Sequence, residues 1–377
     1  LSASPHGFVA AGYEPVAAAF AENLDERGEV GAAFAAVVDD ALVVDVWGGF
    51  TDAERSRPWE RDTVCGVYSG TKGLVATCLA VLLDRGRLDL DAPVAAVWPE
   101  FAAHGKQDVL VRHLVSHGAG LPGLTTPVRL AEALDDRRMA ELLARQPALA
   151  APGTRLWYHA MTFGWLCGEL IRRIDGRSVG TFLREEIAGP LGLDLWIGLP
   201  EEIEPRVAML VPEAGFGAPA RGAEDDPIAW SIWSNPPRFT QRPLPANGRD
   251  WRAAEIPASN GVVSARSMAV LYGALVGGRS PVSAEALAVA TAEITRGVDP
   301  YLATEMRFGV GFQLQVDDRF GPSDDGFGHA GTGGSVHGAW PSRRTGFSYV
   351  MNELRGGGAV DERSTALLDA LSRSRPA

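Results

Sequence analysis

Tyr68-Ser69-Gly70-Thr71-Lys72 is the stretch whose residue types and spacing best suit chemistry. Residues three apart share a helix face, so the Ser69 hydroxyl and the Lys72 amine can meet. A serine at the first turn also gains from the helix dipole and from free backbone N–H groups able to bind a developing oxyanion. Serine is a weak nucleophile until a neighbouring base takes its proton. A buried lysine, its pKa lowered by desolvation, can be that base or act through another group. The chain holds 35 lysines and arginines, of which only Lys72 and Lys106 are lysines. Arginine cannot be deprotonated in a protein, so a lysine kept at this place fits proton transfer. The plainer reading, a helix-capping serine followed by a surface lysine, suits the apolar helix around Lys72 poorly.

Two further stretches carry groups that could join such a serine. Pro152-Gly153-Thr154-Arg155-Leu156-Trp157-Tyr158-His159-Ala160 places Tyr158 beside turn residues. A phenol titrates near ~10, too high for a base at neutral pH unless a protonated lysine stabilises its phenolate. By itself Tyr158 also suits a half-buried core position. Gly328-His329-Ala330-Gly331-Thr332-Gly333-Gly334-Ser335 is dense in glycine. Such a strand lets a ligand approach the backbone closely, though a turn-rich strand edge reads the same way. No G-K-[ST] accompanies it, so it is not read as a phosphate loop.

Local patterns outline the elements that must hold these groups. Pro15 to Arg27 has a helical apolar face and Gly28 as a stop. Gly31 to Val38 and Ala41 to Trp47 flank Asp39-Asp40 as a hairpin. Gly70 to Leu83 is apolar almost all round, the mark of a helix buried in the middle of a protein, closed by Arg85-Gly86. Helices are also expected over Asp108 to Ser116, Thr162 to Ile174, Ser267 to Leu275 and Asp361 to Leu371. Strands are expected over Phe308 to Val316 and Thr345 to Met351. Asp225 to Trp251, with Trp230, Trp233, Trp251, Phe239 and five prolines, reads as a long loop that lines a site or wraps the surface. Strand signals at both ends around a helical middle imply one sheet built from both termini with a helical insertion.

Composition removes several function classes. A net charge of -12 argues against nucleic acid or an anionic membrane surface as partner. Cys65, Cys78 and Cys167 lack C-x-x-C or metal spacing and read as buried thiols, and the seven histidines show no zinc pattern. No stretch has the length of a membrane span, and Leu1 to Asn23 lacks a secretory pattern, so a cytoplasmic protein is expected.

Taken together and in order, Ser-x-x-Lys, the Tyr158 stretch and the His329-Ala330-Gly331 strand resemble the class C β-lactamase-like serine hydrolases with the penicillin-binding protein fold. The branch they resemble most is the family VIII carboxylesterases. Gly86 to Val94, His113 to Leu121 and Pro190-Leu191-Gly192-Leu193 carry the likeness across nearly the whole chain. The resemblance implies an α+β fold of β-lactamase/transpeptidase type, an antiparallel sheet flanked by helices. Residues 1–68 and 255–377 would form the α/β domain, and 69–254 a mainly helical domain, with the site in the groove between. It implies Ser69 as the acylated nucleophile, Lys72 and Tyr158 as its activators, and the backbone N–H groups of Ser69 and Thr332 as the oxyanion hole. His329 and Gly331 would contact substrate, with Trp230 and Trp233 suggested for an apolar acyl or aryl group.

Two departures narrow the chemistry. His329 stands where lactamases and peptidases of this type usually have lysine, and a mostly neutral histidine holds a substrate carboxylate less well. Ala160 stands where an asparagine is usual. Both point away from β-lactams and D-Ala peptides toward neutral short-chain esters. His117-Gly118-Ala119-Gly120 partly matches the oxyanion loop of α/β-hydrolases, but with no G-x-S-x-G it reads as a structural turn. The expectation is a serine carboxylesterase without cofactor or metal, acting on a small ester, with oligomeric state open. The alternatives are a β-lactamase, DD-peptidase or D-aminopeptidase, an acyltransferase, or an inactive scaffold.

Overall fold

A chain that pairs its two ends in one sheet needs register signals strong enough to act at long range, and the hairpin at the N-terminus supplies one. The computed structural model describes residues 5–217, 225–239, 241–356 and 361–374. An edge strand β1 (His6–Val9) precedes helix α1 (Glu14–Asp25) and the hairpin of β2 (Gly31–Val38) and β3 (Ala41–Gly49). Asp39 and Asp40 have φ of 47° and 64°, the paired positive values of a two-residue turn whose twist suits a hairpin. The sheet is completed by β4 (Thr295–Asp299), β5 (Thr304–Phe308), β6 (Gln313–Leu314), β7 (Phe327–Ala330), β8 (Val336–Trp340) and β9 (Thr345–Met351). Its order is β1-β3-β2-β9-β8-β7-β6-β5-β4, antiparallel throughout.

The join between the two ends is β2 against β9, in register from Ala32↔Met351 to Val38↔Thr345. Every residue of β9 is buried, which requires cover on both faces of the sheet. Helix α5 (Ala265–Val276) lies across β2, β8 and β9. It comes close because Gly273 faces Gly346: a Cβ on Gly346 would lie 2.0 Å from the Gly273 nitrogen. Helix α1 packs on β3 and on the C-terminal α6 (Glu362–Arg373).

Between β3 and β4 the chain is mainly helical. Helix α2 (Thr71–Asp84) is buried from Thr71 to Leu82, as its all-round apolar surface required. It packs on α4 (Thr162–Asp175), which in turn packs on α3 (Asp136–Arg145), and its other contacts reach β7. A residue on α2 therefore faces both the helices and the sheet. Cys65, Cys78 and Cys167 are buried and free.

Several expectations change. Of the strand foreseen over Phe308 to Val316, only Phe308, the last residue of β5, and β6 (Gln313–Leu314) are strand, because the chain folds back between them where Gly311 takes φ 75°. Only Val111–Val115 is helical in the segment Asp108 to Ser116, because Leu110 is extended and bridges to Pro93. The irregular stretch after Asp225 holds a short helix, Pro227–Trp233, capped by Asp226 accepting from the Ile228 and Ala229 amides. Strands β1, β4 and β8 had no clear signal, being short or rich in glycine.

One buried ionic cluster ties the termini to the sheet. The Arg363 guanidinium, fully buried, donates to Glu29 at 2.9 Å, to Asp361 at 2.8 Å and to the Gly333 carbonyl at 3.0 Å. Tyr349 on β9 donates its hydroxyl to Glu29. Arg363→Met leaves the buried Glu29 and the partly exposed Asp361 without their shared cation and is expected to cost about 3–5 kcal/mol. Denaturant midpoints check it, and a shift near zero would show that the cluster contributes nothing net.

Candidate active site

The turn before α2 is sharp, and its strain is local. Tyr68 has φ 42°, an unfavourable value for a side chain with a Cβ. The amides of Gly70, Thr71 and Lys72 donate to the carbonyls of Val67, Tyr68 and Ser69 at 2.9, 3.0 and 3.0 Å, winding the chain into the helix. The Thr71 hydroxyl pins the turn by donating to the Tyr68 carbonyl (2.5 Å) and accepting from the Gly261 amide (2.8 Å). The glycine at 70 is needed for contact: a Cβ there would lie 2.7 Å from the His337 ring. Ser69 is left half-buried while its neighbours are sealed in.

Lys72 is fully buried, with three partners for three hydrogens. Its Nζ lies 3.1 Å from Ser69 Oγ, 2.9 Å from the Ala160 carbonyl and 3.0 Å from the Ala258 carbonyl. As an amine it keeps both carbonyl bonds and turns its lone pair to the Ser69 hydroxyl. Burial and the nearby Arg238 push its pKa well below the usual lysine range. Lys106 corrects the argument from rarity. It too is buried, with Nζ on the carbonyls of Ala103 (2.7 Å), Ala144 (3.0 Å) and Gln146 (2.5 Å), away from Ser69. Both lysines are kept where a compact three-donor head fits and a planar guanidinium would not. What sets Lys72 apart is the serine among its partners.

Tyr158 lies on an extended segment anchored by a residue the sequence did not flag. Its amide donates to Asp299 Oδ2 at 2.7 Å, and Oδ1 accepts from the Tyr301 and Leu302 amides at 2.9 and 2.8 Å. The Asp299 carboxylate thus ties the tyrosine to the β4–β5 turn. The phenol ring packs beside His117, 5.0 Å away and tilted, and stacks on Phe308, 6.2 Å away, with Lys72 Nζ 4.9 Å from its centre. The neighbouring Ser69 side chain favours its ionised form. Burial pushes the phenol above its usual range, opposite to the phenolate that a lysine neighbour alone would favour. The burial of both groups favours neutral amine beside neutral phenol. His117 is structural, with φ 66° and Nδ1 accepting the His159 amide at 3.0 Å.

The third stretch closes the opposite wall. His329 on β7 pairs with His337 on β8 and is 2% exposed. Its Nδ1 donates to the Ala330 carbonyl at 2.7 Å, which leaves Nε2 as a lone pair without a partner. Burial and the neighbouring Lys72 hold this imidazole neutral. At Gly331 a Cβ would lie 2.3 Å from both the Val67 carbonyl and Ser335 Oγ. That approach brings the strand end against the Ser69 turn. Among the described residues, neither the Ser69 nor the Thr332 amide donates to another backbone group.

Ser69, Tyr158, His329, Gly331 and Thr332 line one cavity of about 520 Å³. Trp233 lines it, but Trp230 does not: one turn earlier on the same helix, it stays half-buried outside the lining. Arg238 and Arg319 also line it. Neither was legible in the sequence, where one arginine among many carries no signal. Asp299 could have been suspected from Asp299-Pro300, a turn-starting pair.

Comparisons with known proteins show what the chain as a whole resembles. Residues 16–372 match the family model described as Beta-lactamase. The chain is 35% identical over 360 residues to Esterase/beta-lactamase LipL of Mycobacterium tuberculosis, covering 90% of this chain and 81% of that protein. A solved family VIII carboxylesterase superposes with a TM-score of 0.91 at 39% identity, covering 98% of this chain and 99% of that one. A penicillin-binding protein homolog from Caulobacter crescentus gives 0.89 at 39% identity with the same coverage. Among the described residues no helix is long and apolar enough to cross a membrane. The chain belongs to the beta-lactamase family and is a serine hydrolase.

Proposed function

We propose that the protein is a carboxylesterase that hydrolyses small, short-chain esters through an acyl-enzyme on Ser69. The observation that carries this is the Ser69 hydroxyl, 3.1 Å from a buried lysine amine, at the wall of a 520 Å³ cavity that Tyr158 also lines. The similarity to a family VIII carboxylesterase and to an esterase supports the ester class. We also read residues 1–68 with 255–377 as one unit and 69–254 as the other, with the cavity between. All nine strands of the large sheet fall in the first, and α2, α3 and α4 in the second.

The chemistry follows from the protonation states. Neutral Lys72 takes the Ser69 proton across their 3.1 Å contact and becomes an ammonium as Oγ bonds to the ester carbonyl carbon. The Ser69 and Thr332 amides hold the oxygen that gains charge. The C–O bond to the alcohol then breaks, and Tyr158 gives its phenol proton to the departing alkoxide and is reprotonated at the expense of the Lys72 ammonium, which returns to the amine. Water repeats the sequence on the acyl-enzyme with the same pair as base, releasing the acid and restoring the Ser69 hydroxyl. Ala160 presents its carbonyl to Lys72 and no side-chain amide to the cavity, so an amide substrate finds no such partner there.

Three measurements test the reading. Ser69→Ala and Lys72→Ala are expected to reduce ester kcat/KM by on the order of 10⁴ or more, and Tyr158→Phe by about 10²–10⁴. Near-native turnover in Tyr158→Phe would remove that residue from proton transfer. Side by side, nitrophenyl acetate and butyrate should be turned over better than a chromogenic cephalosporin. The comparison matters because the LipL relative is named for both activities. Efficient lactam cleavage with poor ester cleavage would make the protein a lactamase instead. Finally, the base works only when neutral, so kcat/KM should fall as pH drops through the Lys72 pKa. Because that pKa is lowered, the fall should lie well below the usual lysine range. A rate still climbing through ordinary lysine titration would rule Lys72 out as the base.

A further inference from the structure

We propose that the cavity beside Ser69 contains a carboxylate subsite centred on Arg238, so that the preferred esters carry a negative charge. The proposal rests on the esterase reading and names its substrate class. Arg238 follows the helix Pro227–Trp233, is 3% exposed, and lines the cavity that Ser69 and Tyr158 line. Its Nη1 donates to the Ile232 carbonyl at 3.3 Å, and its guanidinium carbon sits 4.6 Å over the Phe239 ring. Among the described residues no carboxylate pairs with it. Arg363, equally buried, has Glu29 and Asp361.

A buried cation without a counter-ion costs several kcal/mol, and most proteins pair it or place it where a ligand will. Burial lowers its pKa only to about 10, so it remains charged at neutral pH. Arg319, 7% exposed, is a second lining cation, while the lining carboxylate of Asp361 is occupied by Arg363 at 2.8 Å. Tyr68 and Ser335 also line the cavity, and their hydroxyls are buried without hydrogen-bond partners. A chain of net charge -12 thus keeps one buried arginine at this cavity without a carboxylate partner among the described residues. The planar guanidinium suits two-point binding of a carboxylate. Neutral His329, where a lysine is usual, pointed to uncharged esters; Arg238 supplies the charge from a different segment.

Two matched pairs test this in the full chain. Nitrophenyl hydrogen glutarate against nitrophenyl pentanoate places the carboxylate on the acyl side. Acetoxybenzoate against phenyl acetate places it on the alcohol side. In one pair the anionic ester should have the higher kcat/KM by about tenfold to a hundredfold, as expected of a charge-assisted hydrogen bond. The preference should sit mainly in KM and shrink at high salt. Arg238→Gln should bring the ratio toward one, and Arg238→Lys should keep part of it. A wild-type ratio near one in both pairs overturns the subsite, as does a preference unchanged in Arg238→Gln. Should the variants not fold, the wild-type ratios and their salt dependence decide alone. Should no ester be cleaved, the esterase reading fails separately, and calorimetric titration with glutarate decides the subsite by binding or its absence.

Discussion

The structure around the nucleophile depends on satisfying one buried amine. Lys72 sits in a helix with no polar face, where an unpartnered ammonium would cost several kcal/mol. Its solution draws three distant parts of the chain to one point: Ser69, the Ala160 carbonyl and the Ala258 carbonyl. Each partner is fixed in turn. Thr71 pins the Ser69 turn, Asp299 anchors the segment carrying Tyr158 and Ala160, and Asn260 donates to the Trp251 (2.7 Å) and Ala254 (2.5 Å) carbonyls beside Ala258. Fold and chemistry share this contact, since the geometry that satisfies the amine also aims it at a hydroxyl.

The charges follow a consistent pattern. His117, His329 and His337 are all held neutral by burial, Lys72 is pushed toward its neutral form, and the Tyr158 phenol resists ionisation. The positive charge of the cavity wall is left to arginine, the one cation burial does not discharge at neutral pH. The groups proposed to move protons can therefore do so, while the groups proposed to bind hold their charge.

Close backbone approach is the third constraint. Gly70 admits the His337 ring, Gly331 admits the Val67 carbonyl, and the two together set the Ser69 turn against the end of β7. The oxyanion site proposed for Ser69 and Thr332 exists only because that gap is narrow. A larger residue at either position would widen it before touching a substrate.

The sequence by itself determined the features whose physics is local. The hairpin at Asp39-Asp40, the buried helix after Ser69, the meeting of Ser69 and Lys72 across one turn, and the order of the three stretches all depend on near neighbours and were legible. It also led to the family, because the spacing and order of Ser69, Lys72, Tyr158 and His329 survive in one dimension. The tertiary structure decided what depends on distant segments. It showed Lys106 to be as buried as Lys72 but remote from the serine, and moved Trp230 out of the lining while keeping Trp233. It turned the chain back within Phe308 to Val316, leaving only β6 and the end of β5 as strand, and brought Asp299 beneath Tyr158 and Arg238 into the cavity that Ser69 lines. Burial and electrostatics are sums over the whole packed chain, so no window of sequence around Tyr158 or Arg238 holds enough of that sum to reveal their states.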